Sequence, residues 1–468
     1  MRDSYILHWY IMKIIRPIDI TTSGTFARAS NGTYFDKLGV MQTAALNEPR
    51  IDYDPVTHEM KGVMIEAAGQ NLASITSPGV ATSIEAAAGT FTISFYGTGV
   101  VTLSGTATAV INGTGATPVR TTSTFTKTAG TLNITYTGTV DYLQLETGSV
   151  ATSYIAVTLA NPTGLRAADI VTGTGYIYSN LTEDEVPEWN AATNYSTGTD
   201  VMRVSKHKIY RNFIAGVNAT APENDVSGRW LEVSPTNRWK AFDASLTTIT
   251  SNVNKITYIL KPGRINGLAL LGLNATFIEV ALTANGETVY SGSADLLTGS
   301  TVGDWYEYFY EPIYQRDALV ITELIDTTLL NLPAYGDSLL SITIEYDGNT
   351  PSVAAIVTGL VADIGLTNYD ASVSIVDYSK IETDTFGRTS VVKRGFRKRG
   401  NFPLTIKNNV VDNVIRMLSL YRATPIVYVG TENIYSSLVI YGYYKDWEVT
   451  FTEPSVSRGN IQIEGLSQ

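Results

Sequence analysis

The sequence predicts a mainly β, multidomain protein: β-sandwich (jelly-roll-like) modules, a small aromatic β module and an α+β C-terminal domain. Three observations carry this. Charged residues make up 16% of the 468 positions, well below the typical value of about 25%, and Thr, Gly, Ser, Asn and Tyr take their place. Thr and Tyr suit half-buried strands, and Gly and Asn suit the turns between them. Apolar and polar residues alternate at period two along most of the chain, and a single segment carries a convincing helical pattern.

Residues 1–20 read as an extended leader ending in Pro17-Ile-Asp-Ile, with Met12-Lys-Ile-Ile-Arg-Pro as an alternative translation start. The apolar run from Tyr5 to Ile15 is interrupted by His8 and Lys13 and lacks a small-residue cleavage site, so it does not read as a signal peptide. Residues 21–160 form a first strand-rich unit, with Phe91-Thr-Ile-Ser-Phe-Tyr, Val100-Val-Thr-Leu-Ser, Leu132-Asn-Ile-Thr-Tyr and Val140-Asp-Tyr-Leu-Gln-Leu as its clearest strands. Residues 161–187, with Asn161-Pro, Gly173-Thr-Gly and Glu183-Asp-Glu, read as a linker.

An aromatic module occupies 188–235, and a second sandwich follows over 236–350. In that sandwich Asn285-Gly and Asp347-Gly mark tight turns. Residues 351–468 form the α+β unit. Its helix is expected to be capped at Asn408 or Asn409, to carry Asp412 in its first turn, and to present Val411, Val414, Ile415 and Leu418 as an apolar face before Thr424-Pro425 ends it.

The net charge of −11 disfavours binding to nucleic acid, which requires a basic footprint to displace counterions. No stretch reaches the length of about 18 consecutive apolar residues needed for a membrane span, so no membrane insertion is expected. The absence of cysteine removes disulfides, thiolate nucleophiles and thiolate metal sites. His8, His58 and His207 are far apart and outside any zinc-protease frame, and the Gly-x-Gly pairs lack a third glycine or a phosphate-binding lysine. No catalytic residue, metal or cofactor is therefore expected. Asp52/Asp54 and Glu382/Asp384 are paired carboxylates of the kind a polysaccharide depolymerase uses, and the plainer reading is solvated strand and turn acids.

The basic run Lys393, Arg394, Arg397, Lys398 and Arg399 contains a single aromatic, Phe396, which does not suit single-stranded nucleic acid. It reads as a partner-docking segment that pairs with an acidic neighbouring subunit.

The aromatic module holds the most informative pattern. Trp189, Tyr195, Gly198, Val201, Tyr210, Pro222 and Trp230 fall at a spacing that resembles the small chitin- and cellulose-binding modules of bacterial chitinases. The resemblance implies that Trp189, Gly198, Val201 and Pro222 are framework residues and that Tyr195, Tyr210, Phe213 and Trp230 contact carbohydrate. One departure stands out. The loop after the central Tyr reads Arg211-Asn-Phe213-Ile214-Ala215, where members that bind crystalline chitin carry tryptophan.

Two further sets of phrases are similar to virion proteins of tailed bacteriophages. One runs through Phe26-Ala-Arg-Ala-Ser-Asn-Gly-Thr-Tyr-Phe-Asp, Asn47-Glu-Pro-Arg-Ile-Asp-Tyr-Asp-Pro and Gly62-Val-Met-Ile-Glu to Leu143-Gln-Leu-Glu-Thr-Gly-Ser-Val-Ala-Thr-Ser-Tyr. The other comprises Arg16-Pro-Ile-Asp-Ile, Pro235-Thr-Asn-Arg-Trp-Lys-Ala-Phe-Asp, Gly303-Asp-Trp-Tyr-Glu-Tyr-Phe-Tyr-Glu-Pro, Ala423-Thr-Pro-Ile-Val-Tyr-Val-Gly and Tyr441-Gly-Tyr-Tyr-Lys-Asp-Trp. The resemblance implies a non-enzymatic tail or tail-tip component whose partners are other virion tail proteins and a host cell-surface glycan, and which forms a homo-oligomer. A decoration or adaptor protein without glycan binding is the alternative, and a depolymerase a second one.

Overall fold

The computed structural model describes residues 11–73, 82–158, 161–298, 314–324, 335–383, 385–431 and 436–468. Strands account for 54% of it and helices for 6%, so the chain is mainly β and built from several sheets. The phrase from Gly303 to Pro312, the first ten residues and Asp384 lie outside the described residues.

The largest sheet has nine strands, and six of them close on themselves. Ala355–Thr367 pairs with Ile11–Pro17, which pairs with Ile426–Val429; Val439–Thr450, Val456–Ser467 and Phe396–Lys407 follow in order. Phe396–Lys407 then pairs back onto Ala355–Thr367 through Thr405 and Leu404, completing an antiparallel barrel. Closure removes the bare edges that these strands would otherwise present. Ile11–Pro17, within the expected leader, is thus a strand of this barrel, with Met12, Ile14 and Ile15 fully buried. From Ile11 to Ile15 the run is interrupted only at Lys13, which suits a strand covered on both faces.

The helix Val411–Leu420 packs Val411, Val414 and Leu418 against Met12, Ile14, Phe402, Leu404 and Ile463. Ile415, placed on the apolar face by spacing alone, is exposed. Neither asparagine caps the helix. A 3-10 turn, Asn408–Val410, precedes it without a side-chain cap, and Asn408 instead bonds the Glu453 carbonyl at 2.8 Å and the Ser457 hydroxyl.

The boundary expected at 350/351 dissolves because Ala355–Thr367 serves two cores. Its C-terminal half belongs to the barrel. Its N-terminal half pairs with Gly267–Leu271 and faces a five-stranded sheet of Gly175–Ser179, Lys255–Lys261, Leu339–Glu345, Phe277–Ala284 and Glu287–Asp295. Leu268, Leu270 and Ile356 meet Ile256, Tyr258, Leu260, Val280 and Ile342 between these layers. Gly359 sits at the crossover; a Cβ there would meet the Arg16 carbonyl oxygen at 1.9 Å. The expected Asn285-Gly286 turn joins Phe277–Ala284 to Glu287–Asp295, with φ of 54° and 82°, as a two-residue type I′ hairpin turn requires.

Residues 161–187 are not a linker. Leu165–Arg166 pairs with Gly69–Gln70, Ile170–Thr172 with Thr25–Ala27, and Gly175–Ser179 forms an edge of the five-stranded sheet. The outer face of that sheet is covered by residues near the N-terminus: Phe26 and Val63 pack on Ile177, Ile259 and Leu339, and Tyr53 donates to the Glu279 carboxylate at 2.8 Å.

Beyond this layer, sheets of four and three strands enclose a core of Phe91, Ile93, Phe95, Leu103, Leu132, Ile134 and Leu145. A buried charge network ties that unit to the layer beneath. Asp169 bonds Arg28 at 3.1 Å and also Arg50; Glu66 bonds Arg50 at 2.7 Å and Arg166 at 2.8 Å. The three guanidinium groups are almost wholly removed from water.

Candidate functional site

The small module starts from three short strands. Asp200–Arg203, Lys208–Asn212 and Trp230–Pro235 form one sheet, beside the pair Asn194–Tyr195 and Gly216–Val217. Gly198 makes the turn between Asn194–Tyr195 and Asp200–Arg203 at φ +87°, in open space, so the backbone conformation rather than crowding demands glycine there.

One sheet face is closed by Tyr195, Val201, Tyr210 and Trp230, with Trp189 packed alongside. The Tyr195 and Trp230 rings meet edge to face at 5.3 Å, and the Tyr195 hydroxyl accepts the Asn190 amide at 2.7 Å. The stacking surface expected from Tyr195, Tyr210 and Trp230 is therefore absent: all three are buried, at 7%, 6% and 6% exposure. A unit this small needs its aromatic rings to build a core at all. Trp189 is held from outside by the Arg203 guanidinium, 5.2 Å from its ring. Buried Pro222 opens a 3-10 turn that presents Glu223, and Arg203 bonds Glu223 at 2.8 and 2.9 Å and Glu188 at 3.2 Å.

Phe213 differs from the other three aromatics. It follows the strand Lys208–Asn212, and the alternation Arg211 exposed, Asn212 buried, Phe213 exposed turns its ring to the open side. On that side Asp200, Arg211 and Leu231 stand in register across the three strands. Arg211 binds Asp200 in a two-point contact of 2.7 and 2.8 Å. This hydrogen bond holds the Asp200 carboxyl below the usual carboxylate range and raises Arg211. Phe213, Ile214 and Val217 are each about half exposed, at 49%, 50% and 57%.

The loop carrying these residues is braced from beneath. The Arg229 guanidinium donates to Asn212 Oδ1 at 3.2 Å, to the Val217 carbonyl at 3.2 Å and to the Gly216 carbonyl. Asn212, fully buried, donates to the Ser196 carbonyl at 2.9 Å. Asp225 accepts the amides of Arg229 and Trp230 at 2.8 and 3.0 Å. Burial works to raise its carboxyl, but the Ser227 hydroxyl and these backbone amides outweigh it and hold the group low. A loop anchored at both carbonyls presents its apolar side chains in one arrangement, which lowers the ordering cost of binding. An exposed ring and a carboxylate–guanidinium pair on the same side of the module can stack on an apolar C–H face and exchange hydrogen bonds with hydroxyls.

The two members of the first expected carboxylate pair sit in different environments, and Asp384 of the second lies outside the described residues. Asp52 is buried, which raises its carboxyl, and accepts the Phe35 amide at 2.9 Å. Asp54 accepts the Thr57 and Val56 amides of the following turn, and these bonds, with Lys61 at 3.1 Å, lower it to about 2. Glu382 lies on an exposed hairpin, paired with Lys380 at 2.5 Å. Among the described residues no cluster of three or more His, Asp or Glu could hold a metal ion, and no helix is long and apolar enough to cross a membrane.

The basic run is divided. Arg397 and Arg399 bond Glu464 of the same chain at 3.2 and 2.9 Å, where an acidic neighbouring subunit was expected. Lys398 shares their half-buried strand, and Lys393 and Arg394 are exposed.

No protein-family model matches this sequence, and no curated protein is similar to it. The Arg229 brace and the Asp200–Arg211 pair went unread in the sequence. The available signal was the position of Arg211 and Asp200 in facing strands, which needs the register to become visible.

Proposed function

We propose that the chain is a non-enzymatic structural component of a bacteriophage tail or tail tip that presents its small module to a glycan on the host surface. The virion assignment rests on the phrases from Phe26 to Tyr154 and from Arg16 to Trp447, and with it goes the reading of the outer units as jelly-roll-like sandwiches. The glycan assignment rests on one observation: Phe213 stands exposed on a braced loop, beside the Asp200–Arg211 pair. A single shallow site of this kind binds weakly, and several copies on one cell surface multiply its effect.

The test is adsorption of the purified chain to host lipopolysaccharide, capsule and peptidoglycan, compared with Phe213→Ala. Retention of the parent and loss in the variant, with equal thermal stability, is the expected result. Failure of the parent to bind any of the three removes the adhesive role. The burial of Tyr195, Tyr210 and Trp230 favours a second reading, in which the module only decorates or cements the virion; equal adsorption by parent and variant supports it.

A further inference from the structure

We propose that the arm between residues 372 and 401, which rises from the large sheet and is two-stranded in its outer part, docks onto a second copy of this chain. The arm begins where Ser372–Asp377 pairs with Phe396–Lys407, from Ser372 opposite Asn401 to Asp377 opposite Phe396. It continues as Lys380–Thr383 paired with Thr389–Val392, a sheet of two strands. Every residue of those last two strands is exposed.

A lone two-stranded ribbon is marginal in water, and its outer edges are templates for pairing with another strand. The side chains add to this. Ile381 and Val391 are cross-strand partners, so they share one face, and they are 69% and 63% exposed. Ile375 and Val392, nearer the base, are 67% and 50% exposed. The Ile381–Val391 pair is an exposed apolar spot on one face of the outer ribbon, and such exposed apolar surface marks an interaction surface.

Charge selects the occupant. Residues 372–399 carry seven of the 33 Lys and Arg of the chain but only three of its 44 Asp and Glu. The arm is therefore cationic and the rest of the molecule strongly anionic, so another copy offers the complementary surface. Arg397 and Arg399 are already held by Glu464, which leaves Lys393 and Arg394 at the arm base to face the partner. The paired Ile381 and Val391, with the bare backbone edges, favour a protein occupant over a polyanion. The inference is independent of the glycan site, which lies on a different module.

Sedimentation velocity of the full chain from about 1 to about 100 µM tests it. Two variants accompany the parent: one with residues 379–394 replaced by Asn-Gly, and the double substitution Ile381→Thr with Val391→Thr, which keeps strand propensity. The parent is expected to associate, each variant to associate at least about tenfold more weakly, and added salt of about 0.5 M to weaken the parent further. A photo-crosslinker at Thr383→Cys, the sole thiol of the chain, should join heavy to light chains in an isotopic mixture. A parent that stays monomeric throughout, or variants that associate as the parent does, would overturn the proposal. So would an arm that binds heparin or DNA while the chain remains a monomer. Near-ultraviolet circular dichroism establishes that both variants fold, and glycan adsorption by the arm-less chain is expected to persist at the level of a single copy.

Discussion

The Nδ1 of His207 lies 2.8 Å from the Glu183 carboxylate, and this contact joins the small module to the body of the protein. His207 belongs to the module, and its ring also packs on Trp239 of the body at 4.7 Å. Glu183 precedes the module, and Thr236 and Arg238, which follow it, bond the same carboxylate. Both chain crossings are thus clamped by one acid.

That clamp should release in acid. Burial works to raise the Glu183 carboxyl, yet the bonds from His207 and Thr236 and the charge of Arg238 hold it below its ordinary value of 4.5. A depressed folded pKa contributes stability above the unfolded value, and the contribution is lost as pH falls through the folded one. Module anchoring is therefore complete above about pH 4.5 and declines below it. Limited proteolysis at the Val186 and Thr236 boundaries between pH 6 and pH 3 should show cleavage rising in acid. Glu183→Gln should show the raised cleavage already at pH 6, since a hydrogen bond to a charged group contributes about 1.5–3 kcal/mol. Cleavage that is equal in parent and variant at pH 6 contradicts the clamp.

Phe213 and Trp230 separate display from core. Phe213→Ala removes an exposed ring and should change stability by no more than about 0.5 kcal/mol, while abolishing glycan adsorption. Trp230→Ala empties the module core and should cost about 3–5 kcal/mol, read as an early thermal transition. If Phe213→Ala melts the module as Trp230→Ala does, Phe213 is a core residue and not a contact.

The brace makes a separate prediction. Arg229→Met keeps the aliphatic stem but leaves the Gly216 and Val217 carbonyls and Asn212 Oδ1 without their donor. Unmade bonds of this kind cost about 1–3 kcal/mol each at buried sites, less where water reaches the loop. Adsorption should fall at least about tenfold through lost preorganisation, with Phe213 itself untouched. Amide hydrogen exchange over residues 213–217 supplies the independent check: protection that is unchanged in the variant means the brace does not order the loop.

Local signals were legible in the sequence, and non-local ones were not. The strands at Phe91, Leu132, Ile256 and Leu340, the Asn285-Gly286 turn and the helix around Val414 all follow from periodicity and turn chemistry, which operate over a few residues. The aromatic framework of the module was legible as a framework, but spacing does not say which way a ring points. Tyr210 and Phe213 are three residues apart and face opposite ways. Ile11–Pro17 looked like a leader because the strands on either side of it, Ala355–Thr367 and Ile426–Val429, come more than 300 residues later in the chain. The same distance effect hid Glu464 from Arg399, and it turned a supposed linker into the holder of Arg166 and Asp169.

Asp169 yields the last prediction. It receives Arg28 and Arg50 on its two oxygens, and all three side chains are shut off from water. Arg28, Arg50, Glu66 and Ser153, spread over more than 120 residues of sequence, are all members of this network. Together they form a polar core that locks the layer from Phe26 to Val63 beneath the four- and three-stranded sheets. Asp169→Asn keeps the shape but leaves buried Arg28 without a carboxylate partner and Arg50 sharing Glu66 with Arg166. Removing one partner of a buried ion pair costs about 3–5 kcal/mol, far above the effect of an exposed pair such as Lys208–Glu232, for which about 0–1 kcal/mol is expected. Urea denaturation followed by tyrosine and tryptophan fluorescence should show the first unit unfolding at lower denaturant in Asp169→Asn, and no such shift in Glu232→Gln. A shift in Asp169→Asn as small as that of Glu232→Gln would mean the network is hydrated and does not lock the unit.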